Sequence, residues 1–408
     1  MIVLSDINRN LLPTEAETGL IENNINSDVR QLALRLKPTE YIRPQYVLQQ
    51  IAGRQMMRKK VPSWANLKII YPIHLSVEQC SSEATAKYKV QVVKRLLQQY
   101  KATSFVDVTG GLGVDFSFLS PLFQRSTYIE QNEELSHIAL HNFDILGLND
   151  YKVICDDGIE FLTTTEAVNC IYIDPARRSA SGAKTIRIAD CTPDLTQIEQ
   201  MLVDKADFVV VKLSPMHDIS MALSELKYVS EVHIVSVANE CKELLLVLDK
   251  NVASEPKIYA TNDNDVFVFL RSDEPKAECQ IAQSVGRYLY EPNASLLKAG
   301  VFKLVAAKYG LQKLHLSSHL YTNNNLCKLF AGRVFEVLSV GTLGSKSLPP
   351  TLNGVKKINI TTRNYPLKPE EIRKKLKLAD GGNDYLFATT MYDRQKILIH
   401  CKKVEKTL

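Results

Sequence analysis

The sequence predicts an α/β protein built around a doubly wound sheet of seven strands, with a helical region before it and a small α+β region after it. Between residues 101 and 250, short apolar runs alternate with longer amphipathic runs, which is the pattern of parallel strands joined by crossover helices. Only residues 238–242 separate the last two apolar runs, and so short a connection allows a hairpin but no crossover helix. We therefore expect the seventh strand to be antiparallel.

The predicted elements follow one another along the chain. The N-terminal region has helical spacing over 28–36, and a second helix is expected to start near Pro44. A third helix is expected to be capped by Ser81 or Ser82 and to run on to Tyr100. Strands of the sheet are expected at 104–108, 126–130, 152–155, 169–174, 207–213, 231–237 and 243–249. The helices between them are expected at 114–122, 132–146, 157–164, 193–203 and 219–228.

Beyond the sheet, the sequence predicts a hairpin with an exit loop over 251–275 and then a helix over 296–309 that Gly310 closes. Further strands are expected at 334–340, 356–362, 385–390 and 396–401, with a basic helix at 369–378. We expect four domains: a helical one over 1–100, the sheet domain over 101–275, a small linking α+β subdomain, with a ferredoxin-like arrangement as one candidate, over 276–330, and a basic α+β domain over 331–408.

The segment Ser104–Phe116 combines a strand, a glycine-rich turn and the start of a helix. Its apolar run ends on Asp107, the turn contains Gly110, Gly111 and Gly113, and a helix-like run follows. Glycine lets a ligand approach the backbone closely at the N-terminus of a helix. The arrangement is therefore typical of a nucleotide-type binding site.

Acidic residues end four of the predicted strands. Because the carboxyl ends of parallel strands line the ligand crevice, we expect five carboxylates along one edge: Asp107, Glu130, Asp156, Asp157 and Asp174. Such an edge suits S-adenosylmethionine, which carries a sulfonium, an ammonium, a ribose diol and an adenine amine but no phosphate. We expect Glu130 to bind the ribose hydroxyls, Asp157 the adenine amine and Asp107 the methionine ammonium.

A dinucleotide fits the same segment less well. Counting G-x-G-x-x-G from Gly111 places Phe116 where glycine or alanine is needed for close helix packing. An aspartate beside the turn would also repel a pyrophosphate. A dehydrogenase is therefore the weakest of the functional alternatives.

With these motifs in this order, the chain resembles the class I S-adenosylmethionine-dependent methyltransferases, and more closely the bacterial group with a C-terminal THUMP-like domain. Besides the motifs from Asp107 to Ala176, three segments carry the resemblance: Glu78–Lys89, Val211–Asp218 and Tyr288–Lys298. It implies a Rossmann-like methyltransferase sheet. The cofactor-binding residues that it implies are Asp107, Thr109, Gly110, Gly111, Gly113, Asp115, Glu130, Gln131, Asp156, Asp157 and Asp174. Thr109 departs from the glycine of the commoner pattern.

The segment Asp174–Arg178 is the candidate chemistry loop. In amino-methylating relatives, a short polar-Pro-Pro-aromatic segment at this place holds the target nitrogen. This chain keeps the polar residue and Pro175, but has Ala176 and Arg177 for the second proline and the aromatic residue. We expect a catalytic part for Asp174 and Pro175 in a direct in-line displacement, in which the protein mainly aligns the nucleophile with the methyl group.

Three basic residues near this loop have alternative explanations. We expect Arg177 and Arg178 to contact a phosphate or to stack on a base through a guanidinium plane, although a surface arginine pair explains them equally well. Lys212, at the end of the fifth strand, is expected to bind phosphate or to fix the Asp174 loop. A structural turn is the alternative for its segment.

The charge of the chain is distributed unevenly. Residues 292–408 carry a net charge of +13, and the rest of the chain carries −8. A basic region beside an acidic one is typical of nucleic-acid binding, and a well-solvated surface is the alternative. Together with the THUMP-like resemblance, it predicts RNA contacts through Lys356, Lys357, Arg363, Arg373, Lys374 and Lys375.

Composition excludes several other classes. No stretch of 18 apolar residues is present, so no membrane span is expected, and the first residues do not have the pattern of a signal peptide. The eight cysteines are scattered, without a C-x-x-C pair, which indicates reduced thiols, a cytoplasmic location and no zinc ribbon. No set of metal ligands is apparent, and the sequence leaves the oligomeric state open.

Three functions remain as alternatives. The favoured one is methylation of a base in RNA, with rRNA or tRNA as the substrate. The second is a small-molecule methyltransferase whose basic region is structural. The third is a non-catalytic RNA-binding protein that has kept the fold. The sequence does not name the RNA, the nucleotide or the atom that is modified.

Overall fold

The structure, a computed structural model, describes residue 2 and residues 9–72, 74–177, 187–344 and 347–405. The chain divides into two compact units: Met1–Glu231 with Glu243–Ser254, and Val232–Lys242 with Glu255–Leu408. The finer division into four domains stays a prediction.

Where the structure describes it, the first unit opens with the α-helices α1 (Glu15–Asn23), α2 (Val29–Ala33), α3 (Pro44–Lys60), α4 (His74–Gln79) and α5 (Glu83–Leu96). The helix predicted over 28–36 is only the short α2. Ser82 caps α5 by accepting a hydrogen bond from the backbone of Thr85, and this satisfies one of the free N–H groups at the helix start. One face of α5 is buried, which holds it against the sheet domain's first helix, α6 (Val114–Leu119).

The first unit continues with alternating strands and helices. In chain order they are β1 (Ser104–Asp107), α6, β2 (Arg125–Glu130), α7 (Glu133–Ile145), β3 (Tyr151–Cys155), α8 (Gly158–Thr164), β4 (Val168–Ile173), β5 (Ala176–Arg177), β6 (Cys191–Thr192), α9 (Leu195–Lys205), β7 (Ala206–Leu213), α10 (Ile219–Glu225), β8 (Val229–Val237) and β9 (Glu240–Leu248). Six neighbouring strands of the sheet have the order β9-β7-β4-β1-β2-β3. The strands from β7 to β3 are parallel, and β9 runs antiparallel to β7.

The seven predicted strands all lie in one sheet, but in the described residues that sheet has nine strands rather than seven. Most of β8, the sixth predicted strand, belongs to the second unit, where it lies beside the hairpin of β10 (Lys257–Asn262) and β11 (Asp265–Leu270). Sequence periodicity marks an apolar run as a strand but does not identify its neighbours, so the count was wrong although all seven strands are present.

An aromatic cluster packs the helices against the sheet where the glycine turn lies. Phe116 of α6 stacks on Phe105 of β1, with ring centroids 5.7 Å apart, and meets the edge of Tyr128 of β2 at 5.6 Å. A Cβ atom on Gly110 would lie 2.1 Å from the Tyr128 ring. Only glycine therefore lets the turn pack this closely on β2.

The second unit adds α11 (Asp273–Lys276), β12 (Tyr288–Pro292), α12 (Ala294–Ala299), α13 (Phe302–Tyr309), β13 (Gln312–Lys313), β14 (Tyr321–Asn323), β15 (Gly332–Gly341), β16 (Asn359–Arg363), α14 (Pro369–Leu376), β17 (Asp384–Thr390) and β18 (Lys396–Lys403). One seven-stranded sheet has the order β13-β14-β12-β15-β18-β17-β16, so the predicted 276–330 and 331–408 segments share a sheet. The helix predicted over 296–309 is broken at Gly300, whose φ of 73° ends α12.

Candidate functional site

Parallel strands bring the predicted acids to one edge of the first unit's sheet. Asp107 and Glu130 are the last residues of β1 and β2, and Asp156 and Asp174 directly follow β3 and β4. These strands are neighbours and run in the same direction. Their carboxyl ends therefore lie side by side, as the sequence predicts for a ligand crevice.

Glu130 holds the glycine turn through its carboxylate. The backbone N–H of Gly111 donates to Oε2 at 2.8 Å, and the backbone N–H of Asn132 donates to Oε1 at 2.9 Å. Gly111 has a φ of 56°, and a Cβ atom there would meet only the Thr109 carbonyl oxygen within 4 Å. The turn is thus open on one side. Each carboxylate oxygen still has a lone pair that can accept a hydroxyl hydrogen bond.

Asp107 is a buried carboxyl with little to balance its charge. It is 1% exposed, and Oδ1 accepts one hydrogen bond, from the backbone of Thr109 at 3.0 Å. Burial, and secondarily the nearby carboxylates of Asp115, Asp174 and Glu130, raises the pKa of Asp107 well above its usual value. A cation bound at this edge would stabilise the ionised form of Asp107.

The same burial makes Asp107 costly for the fold, and we expect Asp107→Asn to raise the melting temperature. An amide keeps a carbonyl oxygen for the Thr109 N–H but cannot ionise. In the unfolded chain Asp107 ionises near pH 4, whereas its folded pKa is higher, so wild-type stability falls as pH rises from the unfolded to the folded pKa. The gain in melting temperature should therefore be larger at pH 8 than at pH 4.5. Each 1 kcal/mol of added free energy of unfolding should correspond to roughly 2–4 °C.

Thermal melts of both proteins at these two pH values measure the effect. If a cation binds at Asp107, its affinity should fall in the same variant by roughly ten- to a hundredfold, because the variant lacks the charge-assisted partner. A variant that is less stable than wild type at pH 8 would contradict the account of Asp107.

Asp157 and Gln131 form the part of the edge beside β3. The Asp157 Oδ1 atom caps α8 by accepting from the backbone of Ile159 at 2.7 Å and of Glu160 at 3.0 Å. The Gln131 side chain donates to Asp157 Oδ2. Asp156, which is exposed, accepts from the backbone of Asp157 at 2.8 Å. The cap gives Asp157 a structural part that the sequence analysis did not predict.

Asp174 is fixed from both its backbone and its side chain. Its backbone N–H donates to Thr109 Oγ1 at 2.7 Å, which ties the candidate chemistry loop to the glycine turn. Its Oδ2 lies 2.5 Å from Lys212 Nζ at the end of β7, and 36% of the Asp174 side chain is exposed. Of the two roles predicted for Lys212, this contact matches the fixing of the Asp174 loop.

A buried charge network lies behind this pair, and the sequence analysis did not identify it. Asp115, predicted to bind cofactor, has its Oδ2 taken by Ser81 Oγ at 2.6 Å and Tyr172 Oη at 2.7 Å. Lys89 Nζ lies 3.0 Å from Asp115 Oδ1 and 2.7 Å from Glu243 Oε1. Asp115 therefore binds buried side chains behind the open edge. The presence of Lys89 in the segment Glu78–Lys89 was the only sequence clue.

Electrostatics within the network follow from burial and pairing. Burial disfavours a charged Asp115, but Lys89 and Lys212 outweigh it and lower its pKa to about 2. Burial raises the pKa of Glu243, and Lys89 offsets this only in part. Burial also opposes the charge of Lys212, yet its pKa lies above the usual value because three carboxylates surround it: Asp174, Asp115 and Glu243. Lys212 therefore stays protonated.

The remaining predicted residues of the loop are described only in part. Pro175 is buried, and the backbone of Ala176–Arg177 forms β5, which pairs with Cys191–Thr192. The Arg177 side chain and the whole of Arg178 lie outside the described residues. Their predicted contacts with substrate stay predictions.

The basic residues predicted to bind RNA fall into two groups in the second unit. Arg363 lies 3.1 Å from the buried carboxylate of Glu291, and Arg373 lies 2.5 Å from Asp380, so both guanidinium groups are engaged within the protein. The exposed ones are Lys356, Lys357, Lys374 and Lys375.

In the described ranges, no group of three or more His, Cys, Asp or Glu side chains has an arrangement that could hold a metal ion. Within the same ranges, every helix is too short or too polar to cross a bilayer.

Comparison with known proteins shows what the chain as a whole is similar to. A crystal structure from Porphyromonas gingivalis W83, assigned to the methyltransferases, superposes with a TM-score of 0.85 and 34% identity, and covers 97% of this chain and 100% of that one. Proteins from two Mycobacterium tuberculosis strains, each named an uncharacterized S-adenosylmethionine-dependent methyltransferase, are 23% identical over 278 residues, or 67% of this chain and 73% of theirs. Two family profiles also match: a THUMP domain-like one at 332–403 and a ferredoxin-like domain at 288–330.

Proposed function

Since the chain belongs to the S-adenosylmethionine-dependent methyltransferases, we propose that it methylates a base in RNA, with rRNA or tRNA as the substrate. The observation that carries the proposal is the fixed position of Asp174 between Thr109 and Lys212. A carboxylate held at the open edge beside the glycine turn is suited to orient a nucleophile toward a bound methyl donor.

The residues at the edge fit S-adenosylmethionine. The buried Asp107 has little to balance its charge, and the cofactor brings a sulfonium and an ammonium. We assign the ammonium to Asp107, the ribose hydroxyls to Glu130 and the adenine amine to Asp157. A dinucleotide is disfavoured because Phe116, fully buried among aromatic rings, fills the place of the third glycine of the fingerprint.

Asp174 is the proposed catalytic residue. When bound, the cofactor supplies a methyl group on a sulfonium, which departs as a neutral thioether. Asp174 accepts a hydrogen bond from the target N–H and so aligns the lone pair of the target nitrogen with the methyl group. As the bond between that nitrogen and the methyl carbon forms, Asp174 takes up the proton that the nitrogen loses. Lys212 holds the carboxylate in place before that step.

An RNA substrate is supported by the second unit. Residues 332–403 match the THUMP domain-like family, and residues 292–408 carry a net charge of +13. Lys356, Lys357, Lys374 and Lys375 present exposed ammonium groups that can neutralise phosphates.

We expect Lys374→Glu with Lys375→Glu to weaken RNA binding and leave cofactor binding unchanged. Both lysines are exposed on α14. Each lost phosphate contact should reduce the slope of log affinity against log salt by about 0.7 for single strands. Filter binding of RNA from cells that lack the gene, at several salt concentrations, measures both quantities. Arg373 is left intact because its guanidinium group is already paired with Asp380 within the protein.

The matched control is Lys94→Glu with Lys101→Glu, which reverses two exposed charges of the first unit. It changes the net charge by the same amount at a different place. Equal RNA affinity for wild type and the Lys374/Lys375 variant across all salt concentrations would favour a small-molecule substrate.

A further inference from the structure

Lys89 of α5 is a buried charge that methyl transfer does not use directly. Its exposed fraction is 0%, and its ammonium group is shared among three partners. Nζ donates to Ser81 Oγ at 3.0 Å and lies 3.0 Å from Asp115 Oδ1 and 2.7 Å from Glu243 Oε1. A fully buried ammonium is rare and is tolerated only when it is paired in this way.

Lys212 lies on the other side of Asp115. Its Nζ lies 2.5 Å from Asp174 Oδ2 and farther, at 3.8 Å, from Asp115 Oδ2. The side chain of Lys212 is 13% exposed, whereas that of Asp174 is 36% exposed. Asp115 therefore lies within reach of two ammonium groups, and the one nearer the open edge is bound to Asp174.

The charges of the network explain why Lys89 pairs with Asp115 and Glu243 while Lys212 pairs with Asp174. Three carboxylates, Asp115, Glu243 and Asp174, share two ammonium groups. In a poorly solvated interior, electrostatic attraction is several times stronger than in water. If Lys89 were absent, Lys212 would be the single ammonium group among the three acids, and the two buried ones would draw it inward, away from Asp174.

We propose that Lys89 is a positioning residue for methyl transfer: by pairing with Asp115 and Glu243, it leaves Lys212 free to hold Asp174. The inference rests on the proposed role of Asp174. It gives the segment Glu78–Lys89 a function in the reaction although the segment contributes no group to the reacting atoms.

The test is Lys89→Met, which keeps the length of the side chain and removes its charge. A crystal structure of the variant should show Lys212 Nζ beyond hydrogen-bond distance of Asp174 and in contact with Asp115. The kcat for methyl transfer to RNA from cells lacking the gene should fall by roughly ten- to a hundredfold, as expected for a misplacement of about 1 Å. The KM for S-adenosylmethionine should stay within a few-fold, because the glycine turn and Glu130 are unchanged.

The decisive comparison is the double variant Lys89→Met with Glu243→Met. Removing an ion pair as a unit restores the charge balance that Lys212 meets in the wild type, and replacing both partners by apolar groups of similar shape can be nearly neutral for the fold. Lys212 should return to Asp174, and most of the lost kcat should be recovered. Lys94→Met, at an exposed position of the same helix, is the control and should behave as wild type.

Each result decides the proposal. A crystal structure of Lys89→Met with Lys212 still on Asp174, or a kcat loss equal in the single and double variants, would overturn it, since Lys89 would then act through packing. If the single variant does not fold, the double variant decides: Lys212 on Asp174 with most of the wild-type kcat supports the proposal, and Lys212 away from Asp174 or a roughly tenfold loss of kcat overturns it. If wild-type protein transfers no methyl group to the RNA, the proposed function fails, and the position of Lys212 in the crystals alone decides the positioning role.

Discussion

Replacing Asp174 with alanine is expected to reduce kcat for methyl transfer by roughly 10²- to 10⁴-fold, the usual contribution of a positioned acid or base. The structure fixes Asp174 at the open edge from two directions, its backbone through Thr109 and its carboxylate through Lys212. Loss of the carboxylate removes the acceptor for the target N–H. It also leaves the Lys212 ammonium beside the reacting nitrogen, where a positive charge opposes methylation.

Affinity for S-adenosylmethionine should change by no more than a few-fold in Asp174→Ala, because the ligand groups assigned to Asp107 and Glu130 are untouched. Calorimetry gives the affinity, and transfer of a radiolabelled methyl group to RNA gives kcat. Glu166→Ala, which removes an exposed acid from the same unit, is the control. Full turnover by Asp174→Ala would show that the loop has only a structural part.

The second large effect is expected at Glu130. Glu130→Ala should weaken S-adenosylmethionine binding by roughly ten- to a hundredfold, corresponding to about 1.5–3 kcal/mol for a charge-assisted hydrogen-bond partner. The change removes the acceptor for the ribose hydroxyls. It also removes the acceptor of the Gly111 and Asn132 N–H groups, so the turn loses the contact that fixes its shape.

Calorimetric titration of wild type and Glu130→Ala measures this effect, and thermal melts separate it from loss of folded protein. Glu134→Ala is the matched control, because it removes an exposed glutamate from the first turn of α7 next to the site. Unchanged affinity in Glu130→Ala, with a normal melting temperature, would remove this edge of the sheet from consideration as the cofactor site.

The strand-end acids could be predicted from sequence because strand direction and period decide where they lie. Asp107, Glu130, Asp156 and Asp174 each follow an apolar run, and parallel strands bring their ends together whatever the side-chain details. The same logic predicted the antiparallel arrangement of the last run, since five residues cannot form a crossover.

The buried network could not be predicted in this way. Lys89 and Glu243 are 154 residues apart, and each looks like an ordinary polar residue in its own element. Only tertiary packing makes them partners of Asp115. The pairing of Arg363 with Glu291 could likewise not be predicted from the sequence. The guanidinium group of Arg363, which was expected to face RNA, is engaged within the second unit. Long-range pairing between charged side chains leaves no periodic pattern.

The central claim is tested most directly by incubating the purified protein with radiolabelled S-adenosylmethionine and RNA from two sources, cells that lack the gene and cells that contain it. RNA from cells lacking the gene should accept label, and RNA from cells containing it should accept little, because its target is already methylated. Mass mapping of the labelled RNA should then locate a single methylated base. Calorimetric binding of the cofactor with no transfer of label to either RNA would contradict the account and favour a small-molecule substrate.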